Sequence, residues 1–172
     1  MQYFNAASAI YNMRRLERRP VRGSNSLWQW RRARNPLVVT KNVILMKIAK
    51  TAPLRVKNIL YRLMGVRLGE RVAVGIDTTI DVFFPELIEI GDDAIIGAGA
   101  MVLTHEFLQN EWRRGPVRIG SRCMIGARSV ILAGVTIGAG ASVSAMTLVD
   151  RDIPSGAIAY GNPMNIKRRA NR

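Results

Sequence analysis

A period of six governs the second half of this chain. From Ile119 onward an apolar branched residue recurs at Ile119, Ile125, Ile131, Ile137, Val143 and Val149. The same spacing links Ile90, Ile96 and Val102, and before them Leu68, Val74 and Ile80. Glycine follows the beat at Gly69, Gly75, Gly91, Gly97, Gly120, Gly126 and Gly138. A helix would repeat at about 3.6 residues and a flat half-buried strand at two. A beat of six fits neither. It fits a solenoid in which each short strand forms one side of a coil.

Three such units make one triangular turn, so the sequence predicts an all-β solenoid, a parallel β-helix of four to five coils. The blocks read as 68–85, 90–107, 119–136 and 137–154. Beat positions face inward, and eleven of the twelve are Ile or Val, which suit a stacked, pleated wall. Burying each contributes about 1.5–3 kcal/mol. The position four after each beat also faces in, near a corner where small groups fit. Phe84 and Glu106 break that rule. The glycines are expected to supply sharp corners and positive φ.

The register shifts twice. Ile80 to Ile90 is ten residues and Val102 to Ile119 is seventeen. The second gap predicts an external loop over 106–116, EFLQNEWRRGP, directly after the sole histidine, His105. Packing gives no reason to interrupt a solenoid there, and such excursions tend to carry function.

Composition narrows the function classes. A single cysteine excludes a disulfide framework, and Cys123 falls on a small inward position, as a buried structural thiol does. No stretch approaches 18 uninterrupted apolar residues, and the front lacks the apolar core of a secretion signal. A cytoplasmic protein is expected, with peripheral contact at a membrane as a further expectation. A three-histidine zinc site of the γ-class carbonic anhydrase kind, shared across a trimer interface, needs more than one histidine per chain, so no metal is expected.

Net charge is +14. Residues 1–41 form a basic N-terminal arm with eight Arg and one Lys against Glu17 alone. Trp28 and Trp30 alternate there with Arg31, Arg32 and Arg34, a mixture open to three readings. It suits nucleic acid through charge and stacking, an anionic membrane surface, or simple packing of the tryptophans against the protein. Residues 42–66 read as amphipathic helix broken by Pro53, capping the open end of the solenoid. The solenoid spans 67–154, and 155–172 forms a C-terminal tail.

From Leu68 to Arg168 the chain resembles the hexapeptide-repeat acyltransferases, within them the maltose, galactoside and xenobiotic O-acetyltransferase group. The resemblance rests on IEIGDDAIIGAGAMVLTHEF, VRIGSRCMIGARSVILAGVTIGAG and DRDIPSGAIAYGNPMNIKR. It implies a left-handed coil and a homotrimer with sites at subunit boundaries. It also implies acetyl-CoA as acyl donor, and His105 as the general base that deprotonates an acceptor hydroxyl on a saccharide or small molecule. The resemblance places a backbone amide of Ala127 near the thioester, Ala145 along the pantetheine arm, and Arg151 and Arg168 near the nucleotide phosphates. Asp77 and Glu106 become acceptor-site candidates. A different class of function stays open: a non-enzymatic trimeric scaffold whose basic arm binds nucleic acid or membrane.

Overall fold

The computed structural model describes residues 14–168. The first thirteen residues of the basic arm and the last four of the tail lie outside the described residues. Strands of two or three residues stack in parallel into three walls. The first wall holds Arg67–Leu68, Ile88–Ile90, Val117–Ile119 and Thr136–Ile137. The second holds Ala73–Val74, Ile95–Ile96, Met124–Ile125, Ser142–Val143 and Ile158–Tyr160, closed by the antiparallel strand Asn165–Lys167. The third holds Thr79–Ile80, Met101–Val102, Val130–Ile131 and Leu148–Val149. Beat residues pair with beat residues, as Ile125 with Ile96 and Val143. The parallel winding therefore continues through Ile158–Tyr160, inside the stretch expected to be tail.

The core follows the beat. Val74, Ile80, Ile90, Ile96, Val102, Ile119, Ile125, Ile131, Ile137, Val143 and Val149 are all buried. So are the small residues four further on, including Ala94, Ala100, Cys123, Ser129, Ala141 and Thr147. Phe84, too large for that rule, is fully buried because the chain swings wide around it.

The glycines after the beat have a different cause from the one expected. None of the seven has positive φ. A Cβ on Gly120 would stand 2.5 Å from the Ala139 backbone nitrogen, and one on Gly97 would stand 2.5 Å from that of Ala127. Backbone stacks on backbone at these corners, and no side chain fits between. The left-handed conformation falls three residues after the beat, at Arg71, Asp77, Asp93, Arg122, Arg128 and Met146 as well as Gly99, Gly134 and Gly140. Coil stacking holds non-glycine residues there despite a cost of about 1–2 kcal/mol each.

Among the described residues, three α-helices precede the coils: α1 (Trp30–Ala33), α2 (Pro36–Thr51) and α3 (Leu54–Met64). α2 starts six residues before the expected helical cap. Asn35 accepts from the Leu37 amide at 2.9 Å and Pro36 occupies the first turn, a start signal legible in Asn-Pro. α3 ends at Gly65, whose φ of 111° lets Val66 N–H reach back to Tyr61. The pair seals the first coil. Met46, Ala49, Tyr61 and Met64 join the solenoid core. Polar side chains meet carbonyls that the first coil would otherwise leave bare. Asn58 donates to Val72 at 2.8 Å, Lys57 to Gly75 at 2.8 Å, Tyr61 to Thr78 at 3.3 Å and Asn42 to Val82 at 2.9 Å. Burial lowers the Lys57 pKa.

Candidate active site

The two register shifts meet at one corner, between the third wall and the first. In the first coil this corner is Asp81–Leu87, and in the second it opens into the excursion after Val102. That excursion is a β-hairpin rather than an irregular loop: His105–Phe107 pairs antiparallel with Glu111–Arg114. The N-terminal strand Glu17–Pro20 adds to its outer edge, with Glu17 opposite Arg114 and Pro20 opposite Glu111.

His105 opens the hairpin directly above Asp81. Its Nδ1 lies 2.5 Å from Asp81 Oδ2. Asp81 is fully buried, yet four groups surround its carboxylate. Oδ1 accepts from the amides of Phe83 at 2.7 Å and Phe84 at 3.0 Å, and Oδ2 from Thr104 at 2.8 Å as well as from His105. Burial by itself would push the Asp81 pKa up. The hydrogen bond from His105, then the Thr104 and Phe84 amides, outweigh it and hold the carboxyl below its ordinary value. An ionised Asp81 makes Nδ1 the protonated ring nitrogen and leaves the Nε2 lone pair free. Nothing among the described residues bonds Nε2, and the ring is 16% exposed. A fixed imidazole with one open nitrogen results.

Aromatic rings wall the imidazole. Phe83 lies 4.5 Å and Phe107 4.9 Å from it between centroids, and Phe84 lies 6.1 Å away. Trp112 stacks on Phe84 at 5.6 Å, while Trp30 meets Phe83 edge-on at 5.9 Å. Arg34 and Arg114 lie over the Phe84 ring, at 5.3 and 5.1 Å. Trp30 thus packs against the protein, whereas Trp28 is 82% exposed. Asn25, Leu27, Trp28, Trp30 and Arg31 line a cleft of about 700 Å³ next to the aromatic cluster. The segment is pinned: the Ser26 hydroxyl and amide both donate to the Leu108 carbonyl, at 2.6 and 3.1 Å.

The other sequence candidates fall in three places. Glu106 turns from the imidazole and binds Arg14 through both oxygens, at 2.5 and 3.2 Å, with the Arg14 side chain 1% exposed. Asp77 sits at the corner between the second and third walls, exposed and 3.0 Å from Lys50. The carboxylate that meets His105 is Asp81, four residues later. Ala127 and Ala145 share the corner of Asp77 and are exposed there, one coil apart. Arg151 donates to Met164 O at 2.5 Å and to Asp150 at 2.9 Å, and Arg168 is exposed beyond the last strand. Within one chain the whole third wall separates the His105 corner from that of Ala127 and Ala145.

Sequence reasoning missed Asp81. The signal was the residue one past the beat, glycine on the first two walls and an acid here, beside an irregular corner.

Known proteins share this architecture. A family model described as the hexapeptide repeat of succinyl-transferase matches residues 65–104 and 116–151. The chain is 45% identical over 156 residues to a Bacillus subtilis (strain 168) protein named "Putative acetyltransferase YvoF", covering 90% of this chain and 91% of that protein. Among solved structures, it resembles a galactoside acetyltransferase in complex with coenzyme A, with TM-score 0.59 and 21% identity over 79% of this chain and 82% of that one. It also resembles the hexapeptide-repeat acetyltransferase VCA0836 of Vibrio cholerae complexed with acetyl coenzyme A, with TM-score 0.58 and 21% identity over 79% and 88% of the two chains. The shared fold assigns the coil its left-handed sense.

Proposed function

The chain belongs to the hexapeptide-repeat acyltransferase family, and on that premise we propose that it transfers an acetyl group from acetyl-CoA to a hydroxyl of a saccharide or small molecule, with His105 as general base. The observation that carries the reading is the pinned imidazole. Asp81 fixes the tautomer and ring orientation, so Nε2 is ready to take a proton from an acceptor hydroxyl as its oxygen attacks the thioester carbonyl. Asp81 then stabilises the imidazolium that forms. Returning that proton to the departing thiolate as the tetrahedral intermediate collapses yields acetylated acceptor, free CoA thiol and neutral His105. Positioned base catalysis of this kind contributes about 10²–10⁴-fold.

The assembly we propose is a homotrimer. One chain carries the base on one corner and Ala127 and Ala145 on another. Packing three prisms side by side brings unlike corners of neighbours together and closes a site that one chain leaves open. Backbone groups at Ala127 and Ala145 then flank the pantetheine arm, and an amide there can face the developing oxyanion. The exposed Lys167 and Arg168 suit the nucleotide phosphates. Arg151 holds the turn carrying Met164 and offers the rest of its guanidinium to the same charges. Asp77 shares the donor edge and meets an acceptor across the subunit boundary. Glu106 acts through Arg14, tying the N-terminal strand beneath the hairpin.

The test is release of free thiol from acetyl-CoA across a panel of mono- and oligosaccharides, other alcohols and amines. Saturable release with hydroxyl acceptors, and acetyl esters in the product, is expected. Turnover confined to amines would overturn the O-transfer assignment, and no saturable binding of acetyl-CoA would overturn the enzyme reading.

A further inference from the structure

The helices that seal the solenoid carry a second face that the fold does not use. On α2, Leu37, Ile44 and Ile48 follow helical spacing, and on α3 so do Val56, Ile59 and Leu63. All six side chains are exposed, from 45% at Val56 to 79% at Leu37. The buried residues of the same helices, Val39, Asn42, Met46 and Ala49 with Lys57, Tyr61 and Met64, lie on the opposite stripes and face the first coil. The two outer stripes are neighbours, because Lys41 Nζ of α2 donates to the Leu63 carbonyl of α3 at 3.2 Å. Single exposed apolar residues need no explanation, but six on two adjoining helices form a patch that marks a contact surface.

Charge selects the partner. Between Glu17 and Glu70 the chain holds thirteen Lys and Arg and no acid, against a net charge of +14 for the whole chain. Lys47 and Arg55 are exposed on these helices, with no acidic partner among the described residues. A second copy of this face would bring like charges together. Nucleic acid would meet aliphatic side chains with no group to read or stack on a base. An anionic bilayer satisfies both halves of the pattern: Leu and Ile enter the headgroup–acyl boundary while the flanking cations meet lipid phosphates.

We propose that the outer face of α2 and α3, built from Leu37, Ile44, Ile48, Val56, Ile59 and Leu63 and ringed by Lys47 and Arg55, docks this protein on an anionic lipid bilayer with the helices lying in its surface. Docking is independent of the acetyl-transfer reading, since none of these residues touches the His105 corner.

Co-sedimentation of the full-length chain with phosphatidylcholine vesicles, and with vesicles that also contain phosphatidylglycerol, tests this. Binding to the anionic vesicles, weakened by salt and weak on pure phosphatidylcholine, is expected. Ile44→Gln with Ile59→Gln removes buried apolar area on the bilayer and should lower partitioning by at least about tenfold. Lys47→Gln with Arg55→Gln should lower it by about tenfold and reduce the lipid preference. The two pairs are read independently, so a folding defect in one, seen as a changed thermal midpoint, leaves the other decisive. Equal binding to both vesicle types, or none, overturns the proposal. Binding that ignores both pairs but is lost on neutralising Arg18, Arg22, Arg31 and Arg32 moves the contact to the N-terminal segment and overturns it too. Loss of a larger oligomer in the Ile44→Gln, Ile59→Gln variant would assign the face to a second copy instead.

Discussion

Two kinds of corner coexist in this solenoid. Where the first wall turns into the second, Gly69, Gly91, Gly120 and Gly138 repeat in register, each with backbone pressed against the coil above. Where the third wall turns into the first, the four passages differ: a wide turn at Asp81–Leu87, a hairpin after Val102, then two tight turns near Gly134 and Asp152. At the repeated corner the glycine positions have no room for a side chain, and the charged residues beside them, such as Arg71 and Asp93, pair with each other in solvent. The irregular one breaks the stack and gathers His105, Asp81, three phenylalanines and Trp112. Regularity provides rigidity, and the break in it provides a site held by rigid neighbours.

If that division holds, changes at the irregular corner should cost activity and changes at the repeated one stability. The largest effect is expected from His105→Ala, which should lower turnover by about 10⁴-fold, the upper end for a positioned base. Circular dichroism and oligomeric state should be unchanged, and near-normal thiol release would break the comparison at its centre. Asp81→Asn should follow, with kcat lower by about 10²-fold and KM little changed. The amide cannot offset an imidazolium, and its NH₂ would face backbone N–H groups. The same residue has a pH signature. Its folded pKa is depressed, so its contribution to stability is present above the unfolded value of about 3.9 and is lost as pH falls through the lower folded value. Acid denaturation of the Asp81→Asn variant should lack that limb, and superimposable profiles would argue against a buried anion.

At the repeated corner, Gly120→Ala should destabilise by about 1–3 kcal/mol through overpacking against Ala139. It should leave kcat within about twofold, as thermal melts and thiol release would show. A stability loss confined to noise would mean the stack yields more easily than its spacing suggests. The smallest effect concerns Cys123, whose pKa burial pushes up and whose Sγ–H donates to Gly138 O at 3.1 Å. Thiol reagents should label it only under denaturing conditions; rapid labelling of the native protein would show a core more open than these walls imply.

The same division explains what could be read from the sequence. The walls were legible because each beat residue has one environment, so Ile125 and Val143 declare their place without knowledge of anything distant. Glycine positions were legible too, but their cause was not. Close stacking and positive φ both select glycine, and only the structure shows that Gly97 and Gly120 answer to the first. His105 stood out as the one imidazole beside the longest register gap. Asp81 did not, because its partner lies 24 residues away and the intervening shifts hide which corner sits above which. The strand Glu17–Pro20 was invisible for a related reason: ERRP has no alternation, and it becomes a strand only because the hairpin edge offers it partners. Asn35-Pro36 did carry a helix start, masked by the arginines before it.

The sealing of the first coil has a consequence for the cell as much as for the fold. A stack of parallel strands is a template at both ends, able to recruit another chain onto any bare rung. Here Asn42, Lys57, Asn58 and Tyr61 occupy the rung's acceptors at one end, and Asn165–Lys167 pairs antiparallel with Ile158–Tyr160 along part of the other. With those rungs covered, a shape akin to a fibril's stays a discrete particle.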